Sequence, residues 1–97
     1  MITETINNKL VLNNELTLID FWAPWCGPCR TQLPILEKLS ENVKIIKVNI
    51  DDNPLIAQQN LIQSVPTLII FKNKMEMERF IGLQTEDFIK DKISRYV

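Results

Sequence analysis

Leu16-Thr17-Leu18-Ile19-Asp20-Phe21-Trp22-Ala23-Pro24-Trp25-Cys26-Gly27-Pro28-Cys29-Arg30 is the stretch on which the reading of this chain turns. Leu16 to Trp22 is almost continuously apolar and of strand length, the pattern of a parallel strand covered on both faces, and so of a central strand. After the cysteines, Leu33, Leu36 and Leu39 recur at helical spacing, with Pro28 in the first turn, where a missing N–H costs little. The two cysteines, the only ones in the chain, therefore stand at a strand-to-helix junction. Pro34, inside a helix predicted to run to about Ser40, removes a backbone hydrogen bond and predicts a bend between Arg30 and Pro34.

Working outward, Val43 to Ile50 reads as a second buried strand, and Asn53-Pro54 as the N-cap and first turn of a short helix reaching about Gln59. Thr67 to Phe71 is a third buried strand. Lys72-Asn73-Lys74 turns it into a half-exposed edge strand, Met77 to Ile81, in which Glu78 and Arg79 interrupt the apolar residues. Thr85 caps a last helix with Glu86 and Asp87 in its first turn, Lys90, Lys92 and Arg95 later, and a buried stripe of Phe88, Ile89, Ile93 and Tyr96. At the start of the chain, Ile6 and Leu10 at helical spacing predict a short helix over Thr3 to Leu10, ending at an Asn13-Asn14 turn. The order is that of an α/β sandwich with a mixed sheet and right-handed crossovers.

Ninety-seven residues suffice for one domain, 1–97, and not for two. Eleven basic residues balance twelve acidic ones without clustering, which argues against a nucleic-acid partner. The start shows no apolar core of a secretory signal and no stretch has the length of a membrane span, so the chain is expected to be cytoplasmic, with no membrane partner. In a reducing compartment a cysteine pair is more often catalytic or metal-binding than a structural staple. A zinc site needs further ligands, and the chain has no histidine and no third cysteine, so no metal is expected. A loop this small restricts the unfolded chain little, which argues against a purely structural disulfide.

Redox chemistry then sets the roles. A free cysteine ionises near a pKa of about 8.5, and a helix N-terminus favours the thiolate. Cys26, at the open end of the helix, is the expected nucleophile; Cys29, one turn further in and more buried, is expected to resolve the mixed disulfide and close a Cys26–Cys29 bridge. Gly27 and Pro28 shape the turn between them.

Phe21 to Arg30 closely resembles the active-site signature of the thioredoxins. Pro34, Lys47-Val48-Asn49-Ile50-Asp51, Asn53-Pro54, Val65-Pro66-Thr67 and Gly82 extend the likeness over roughly residues 16–97. The resemblance implies a thioredoxin-like three-layer sandwich and a protein-disulfide reductase. It implies that Asp20, a carboxylate in an apolar strand, moves a proton to or from Cys29 with Lys47 as its partner; the plainer alternative is a structural Asp20 neutralised by Lys47. It implies a cis Pro66, and a contact surface of Trp25, Val65, Pro66 and Gly82 around Cys26, with Trp22 as packing support. No bound cofactor is implied. NADPH enters only through a partner flavoprotein, a thioredoxin reductase, and the clients are disulfide-bearing proteins such as ribonucleotide reductase, peroxiredoxins or methionine sulfoxide reductases; the protein is expected to be a monomer. Two departures stand out: a short N-terminal part, which predicts four strands, or five where a vestigial first edge strand forms, and Lys74 where the hairpin glycine usually lies, which predicts a different turn. An oxidant or isomerase remains a rival within the same chemistry, and an assembly subunit with a non-essential cysteine pair is the rival outside it.

Overall fold

Strand β2 (Thr17–Trp22) lies at the centre of a five-stranded sheet ordered β1-β3-β2-β4-β5, as its apolar run predicts. The computed structural model describes residues 2–97. Around β2 stand β1 (Ile2–Glu4), β3 (Lys44–Asn49), β4 (Thr67–Lys72) and β5 (Met75–Ile81), with helices α1 (Gly27–Leu39), α2 (Pro54–Gln59) and α3 (Glu86–Ser94). β1 and β2 both pair parallel with β3, whereas β4 pairs antiparallel with β2 and with β5.

Because successive side chains alternate across a strand, each central strand feeds two apolar layers. Leu18, Ile45, Leu68 and Ile70 meet Leu36 and Leu39 of α1 and Ile89 of α3 on one face; Ile19, Phe21, Ile46, Val48, Ile69 and Phe71 meet Ile56 of α2 on the other. Each such side chain, removed from water, stabilises the fold by roughly 1.5–3 kcal/mol. The sheet is thereby fixed in register, and a slip by one residue would turn every apolar set to the wrong side.

The N-terminal segment corrects the sequence reading. No helix forms over Thr3 to Leu10; Ile2–Glu4 is the fifth strand, paired in register with Ile45, Ile46 and Lys47, and the Thr5 N–H donates to the Lys47 carbonyl at 2.8 Å. Asn7 and Asn8, both at φ 54°, break any helix there, a conformation Asn tolerates better than most residues. Asn8 also takes over a role expected of Asn53. The Asn53 side chain makes no cap to α2; it is fully buried and its amide donates to the Thr5 and Asn49 carbonyls, at 3.2 and 3.0 Å. The Asn8 side-chain oxygen instead accepts from the Leu55 and Ile56 N–H groups, at 3.0 and 3.4 Å.

At the other end, Thr85 caps α3 as expected, its hydroxyl accepting from the Phe88 N–H. Phe88 leaves the predicted stripe: it is 38% exposed and packs edge-on against Phe80. The β4–β5 turn consists of Asn73 and Lys74, with φ 54° and 67°, and β5 begins at Met75, two residues before the predicted start. Positive φ at both central residues is the type I′ signature that an Asn-Gly pair usually satisfies, so Lys74 occupies glycine's own backbone region rather than making a different turn. Pro34 lies within the assigned span of α1.

Candidate functional site

The turn from β2 into α1 presents Cys26 as the N-cap residue, in extended conformation at φ −93° and ψ 110°. Its sulfur accepts the Cys29 N–H at 3.2 Å, so one of the orphan donors of the first turn points at this atom. Cys26 and Cys29 are joined as a disulfide, with Cα atoms 5.3 Å apart. Ala23, Trp22, Ile50 and Val65 pack around the pair. Both cysteines are buried, 4% and 5% exposed, so in this oxidised state burial does not rank them as the sequence reading expected. What separates them is position. Cys26 caps the helix; Cys29 lies within it and lines a cavity of about 90 Å³ shared with Asp20 and Lys47.

Asp20 is 1% exposed, and its Oδ1 has no hydrogen-bond partner. Burial without such a partner penalises the charged form and pushes its pKa up to about 7, against a smaller lowering by the Lys47 charge and with a further raising by Glu4. Lys47 faces Asp20 across the β2–β3 ladder, yet the ion pair it makes is with Glu4, at 3.8 Å. Its ammonium also lies 4.2 Å from the Trp22 ring centroid, a cation–π contact. The expected Asp20–Lys47 pair is thus corrected to a Glu4–Lys47 pair beside a buried Asp20. Trp22 does more than pack, since its ring seats the ammonium.

The residues expected to form the contact surface lie on three separate loops. Trp25 is exposed, and its indole N–H donates to Asp51 at 3.1 Å, which fixes the ring above the β3–α2 turn. The Val65–Pro66 peptide bond is cis, and Val65 touches the cysteine cluster. Gly82, at φ 94°, donates its N–H to the Pro66 carbonyl at 2.8 Å, a conformation that favours glycine. Gly27 and Pro28 are the first two helical residues, both exposed.

Three residues of this region escaped the sequence reading. Asp51 anchors Trp25. Gln32 is fully buried on α1 and clamps the loop after Gly82: its amide donates to the Gln84 carbonyl at 3.0 Å and its carbonyl accepts the Gln84 N–H at 2.8 Å. The signal was there, because Gln32 falls on the buried stripe of Cys29, Leu36 and Leu39, where a polar side chain must find partners. Glu4, the third, lies on a strand the sequence reading did not place. Among the described residues no group of three or more His, Cys, Asp or Glu side chains is placed to hold a metal, and no helix is long and apolar enough to cross a membrane.

A helix-capping Cys-x-x-Cys disulfide beside a buried carboxylate, on a mixed sheet flanked by helices, defines the class: a thiol-disulfide oxidoreductase. Comparison with known proteins agrees. The thioredoxin family model matches residues 1–95. The chain is 39% identical to a thioredoxin of Porphyra purpurea, over 99% of this chain and 94% of that one, and 40% identical to one of Rickettsia felis, over 99% and 96%. Among solved structures, a mutant thioredoxin from Halobacterium salinarum superposes with a TM-score of 0.82 at 39% identity, covering 86% of this chain and 75% of that one. A reduced Schistosoma mansoni thioredoxin pre-protein gives 0.81 at 32%, covering 88% and 82%. The chain belongs to the thioredoxin family, and its activity is that of a protein-disulfide reductase. An assembly subunit with an incidental cysteine pair is not favoured.

Proposed function

We propose that the chain works as one domain that reduces client disulfides through Cys26 and Cys29. The Cys26 thiolate attacks one sulfur of a client disulfide, and the client's other sulfur leaves as a thiolate that takes up a proton. Cys29 then gives its proton to the Asp20 carboxylate and attacks the Cys26 sulfur. The Cys26–Cys29 bond forms, the second client thiolate leaves, and two electrons have passed to the client. The observation that carries this order is the Cys29 N–H directed at the Cys26 sulfur at 3.2 Å. That donor and the helix N-terminus favour a negative Cys26 sulfur, while Cys29 shares its cavity with Asp20. A carboxyl with a pKa of about 7 is suited to exchanging a proton near neutrality.

Trp25, Val65, Pro66 and Gly82 form the face on which an extended client segment docks, with Gly27 and Pro28 shaping the turn between the two cysteines. Lys47 modulates Asp20. Recharging falls to a thioredoxin reductase, a flavoprotein drawing on NADPH, so the protein carries electrons without binding a cofactor. We place it in the cytoplasm as a monomer.

Insulin reduction by the wild type, Cys26→Ser and Cys29→Ser tests the scheme. Both variants are expected to lose all catalytic turnover, and Cys29→Ser alone is expected to accumulate a mixed disulfide on Cys26. Residual turnover in either variant, or trapping by Cys26→Ser in place of Cys29→Ser, would reverse the assignment. A measured redox potential separates a reductase from an oxidant or isomerase.

A further inference from the structure

The register of the sheet lines up two rows on the face that α1 covers. Ile2, Ile45 and Leu18 make an apolar row; one pleat further on, Glu4, Lys47 and Asp20 make a charged one. The middle member of the charged row faces a carboxylate on each side. Its ammonium pairs with Glu4 at 3.8 Å and rests on Trp22, and the Asp20 Oδ1 is left without a hydrogen bond. Lys47, 15% exposed at its side chain, is thus committed to the more accessible of its two neighbours, Glu4 at 44%.

We propose that Glu4, brought to the sheet by the three-residue strand β1, is a positioning residue for the buried proton site: it draws the Lys47 ammonium away from Asp20 and leaves that carboxylate without an ion-pair partner. This deepens the reductase reading and rests on it for its functional consequence. Strands in one sheet stand about 4.8 Å apart, so Glu4 lies roughly 10 Å from Asp20 and acts mainly through the lysine. Other groups bear on the row. Arg30 and Cys29 of α1 line the cavity with Asp20 and Lys47, and Asp52, in the β3–α2 loop, acts on Glu4 by charge repulsion. None of these supplies the Asp20 Oδ1 with a hydrogen bond. The electrostatics run the same way: Lys47 lowers the Asp20 pKa and Glu4 raises it. Glu4 itself is held above the usual carboxylate range, by partial burial first and against the pull of Lys47.

The test is a carboxyl-carbon NMR titration of Asp20 in the intact oxidised protein, a readout that needs no activity. Neutralising Glu4 in Glu4→Gln frees Lys47 and removes a repulsion, so the Asp20 pKa is expected to fall by roughly half a unit to one unit, small because Glu4 is half exposed. Lys47→Met is expected to move it upward. Glu4→Asp, which keeps the charge, is expected to stay close to the wild type. An unmoved or raised Asp20 titration in Glu4→Gln overturns the proposal, and so does an equal shift in Glu4→Asp, which would mean that local geometry and not charge is responsible. In the insulin assay the acid limb of the pH profile is expected to follow the titration. A wild type that reduces no disulfide would sink the reductase reading and leave the titration result standing.

Discussion

The two edges of the sheet are built in opposite ways. β5 is a seven-residue strand that reaches β4 through a two-residue turn, and its outer face carries Met75 and Met77 in water. Arg79 grips Glu76 within the strand through two bonds of 2.8 Å, and Glu78 accepts the Tyr96 hydroxyl and pairs with Lys92 of α3. β1 has three residues, and the strand it pairs with comes only after β2 and α1 have intervened. It is held by Thr5, Asn8 and Asn53, and it carries a carboxylate toward the buried charge of the site. One edge is joined to the sheet by a two-residue turn and tied to the C-terminal helix region. The other is secured across the chain and enters the chemistry. Substitutions on the β1 side should therefore move titration or tertiary ties, and substitutions on the β5 side stability alone.

The largest effect is expected at Asp20, where the charged row ends. Its folded pKa of about 7 stands above the ordinary value of 3.8, so between those values the native state binds more protons than the unfolded chain. The stability this group contributes is then fully present below about pH 4 and is lost as pH rises through 7. At about 1.36 kcal/mol per unit, the loss is on the order of 4 kcal/mol. Asp20→Asn, neutral at every pH, should be more stable than the wild type by that order at about pH 8 and nearly equal at about pH 4, as read by urea unfolding of the oxidised proteins. It should also slow insulin reduction at least about 10-fold, as the proposed proton acceptor for Cys29 is gone. An Asn variant that gained nothing at the higher pH would mean that the buried carboxylate is solvated after all, and the contrast between the edges would lose its electrostatic half.

Asn8 measures how the β1 edge is tied down. Removing its side chain leaves the Leu55 and Ile56 N–H groups without their acceptor, a capping loss of about 1 kcal/mol. Asn8→Gly keeps the positive φ available and should show only that loss. Asn8→Ala adds the penalty of a left-handed residue and should cost about 2 kcal/mol in all. Insulin reduction should be unchanged in both. Equal unfolding midpoints for the two variants would show that this backbone is free to relax, and that the edge is less fixed than its hydrogen bonds imply.

The same contrast explains what the sequence could disclose. β2 and β4 are largely apolar runs covered on both faces, β3 is rich in Ile and Val, and β5 follows β4 within reach of a local turn, so periodicity and turn residues suffice for them. The cysteines were legible from spacing, and the cis Pro66 from the family resemblance. β1 was not legible, because three residues carry no period and Ile6 and Leu10 imitate a helix; only pairing with Ile45, Ile46 and Lys47 makes them a strand. The Glu4–Lys47 pair and the Asn8 cap inherit that blindness, since each depends on a partner far along the chain. Gln32 differs in kind. Its place on a buried stripe could be read, but its partner, the Gln84 backbone, belongs to a loop whose approach only the folded chain defines.

The smallest effect is expected at Lys74, on the β5 edge. A residue with a Cβ pays roughly 1–2 kcal/mol in the left-handed region, and Lys74 sits there at φ 67°. Glycine would remove that strain while gaining about 0.4–1 kcal/mol of unfolded-chain freedom. Lys74→Gly should thus stabilise the protein by about 0.5–1 kcal/mol, or raise Tm by roughly 2–8 °C for a domain of this size. Asn73→Gly, at φ 54°, should gain less, because Asn already tolerates this region. Turnover and the Asp20 titration should not move in either variant, since the turn lies at the end of the β4–β5 hairpin away from Gly82 and the cysteines. A change in the titration would show that the β5 edge reaches the buried charge, and the division between the two edges would fail.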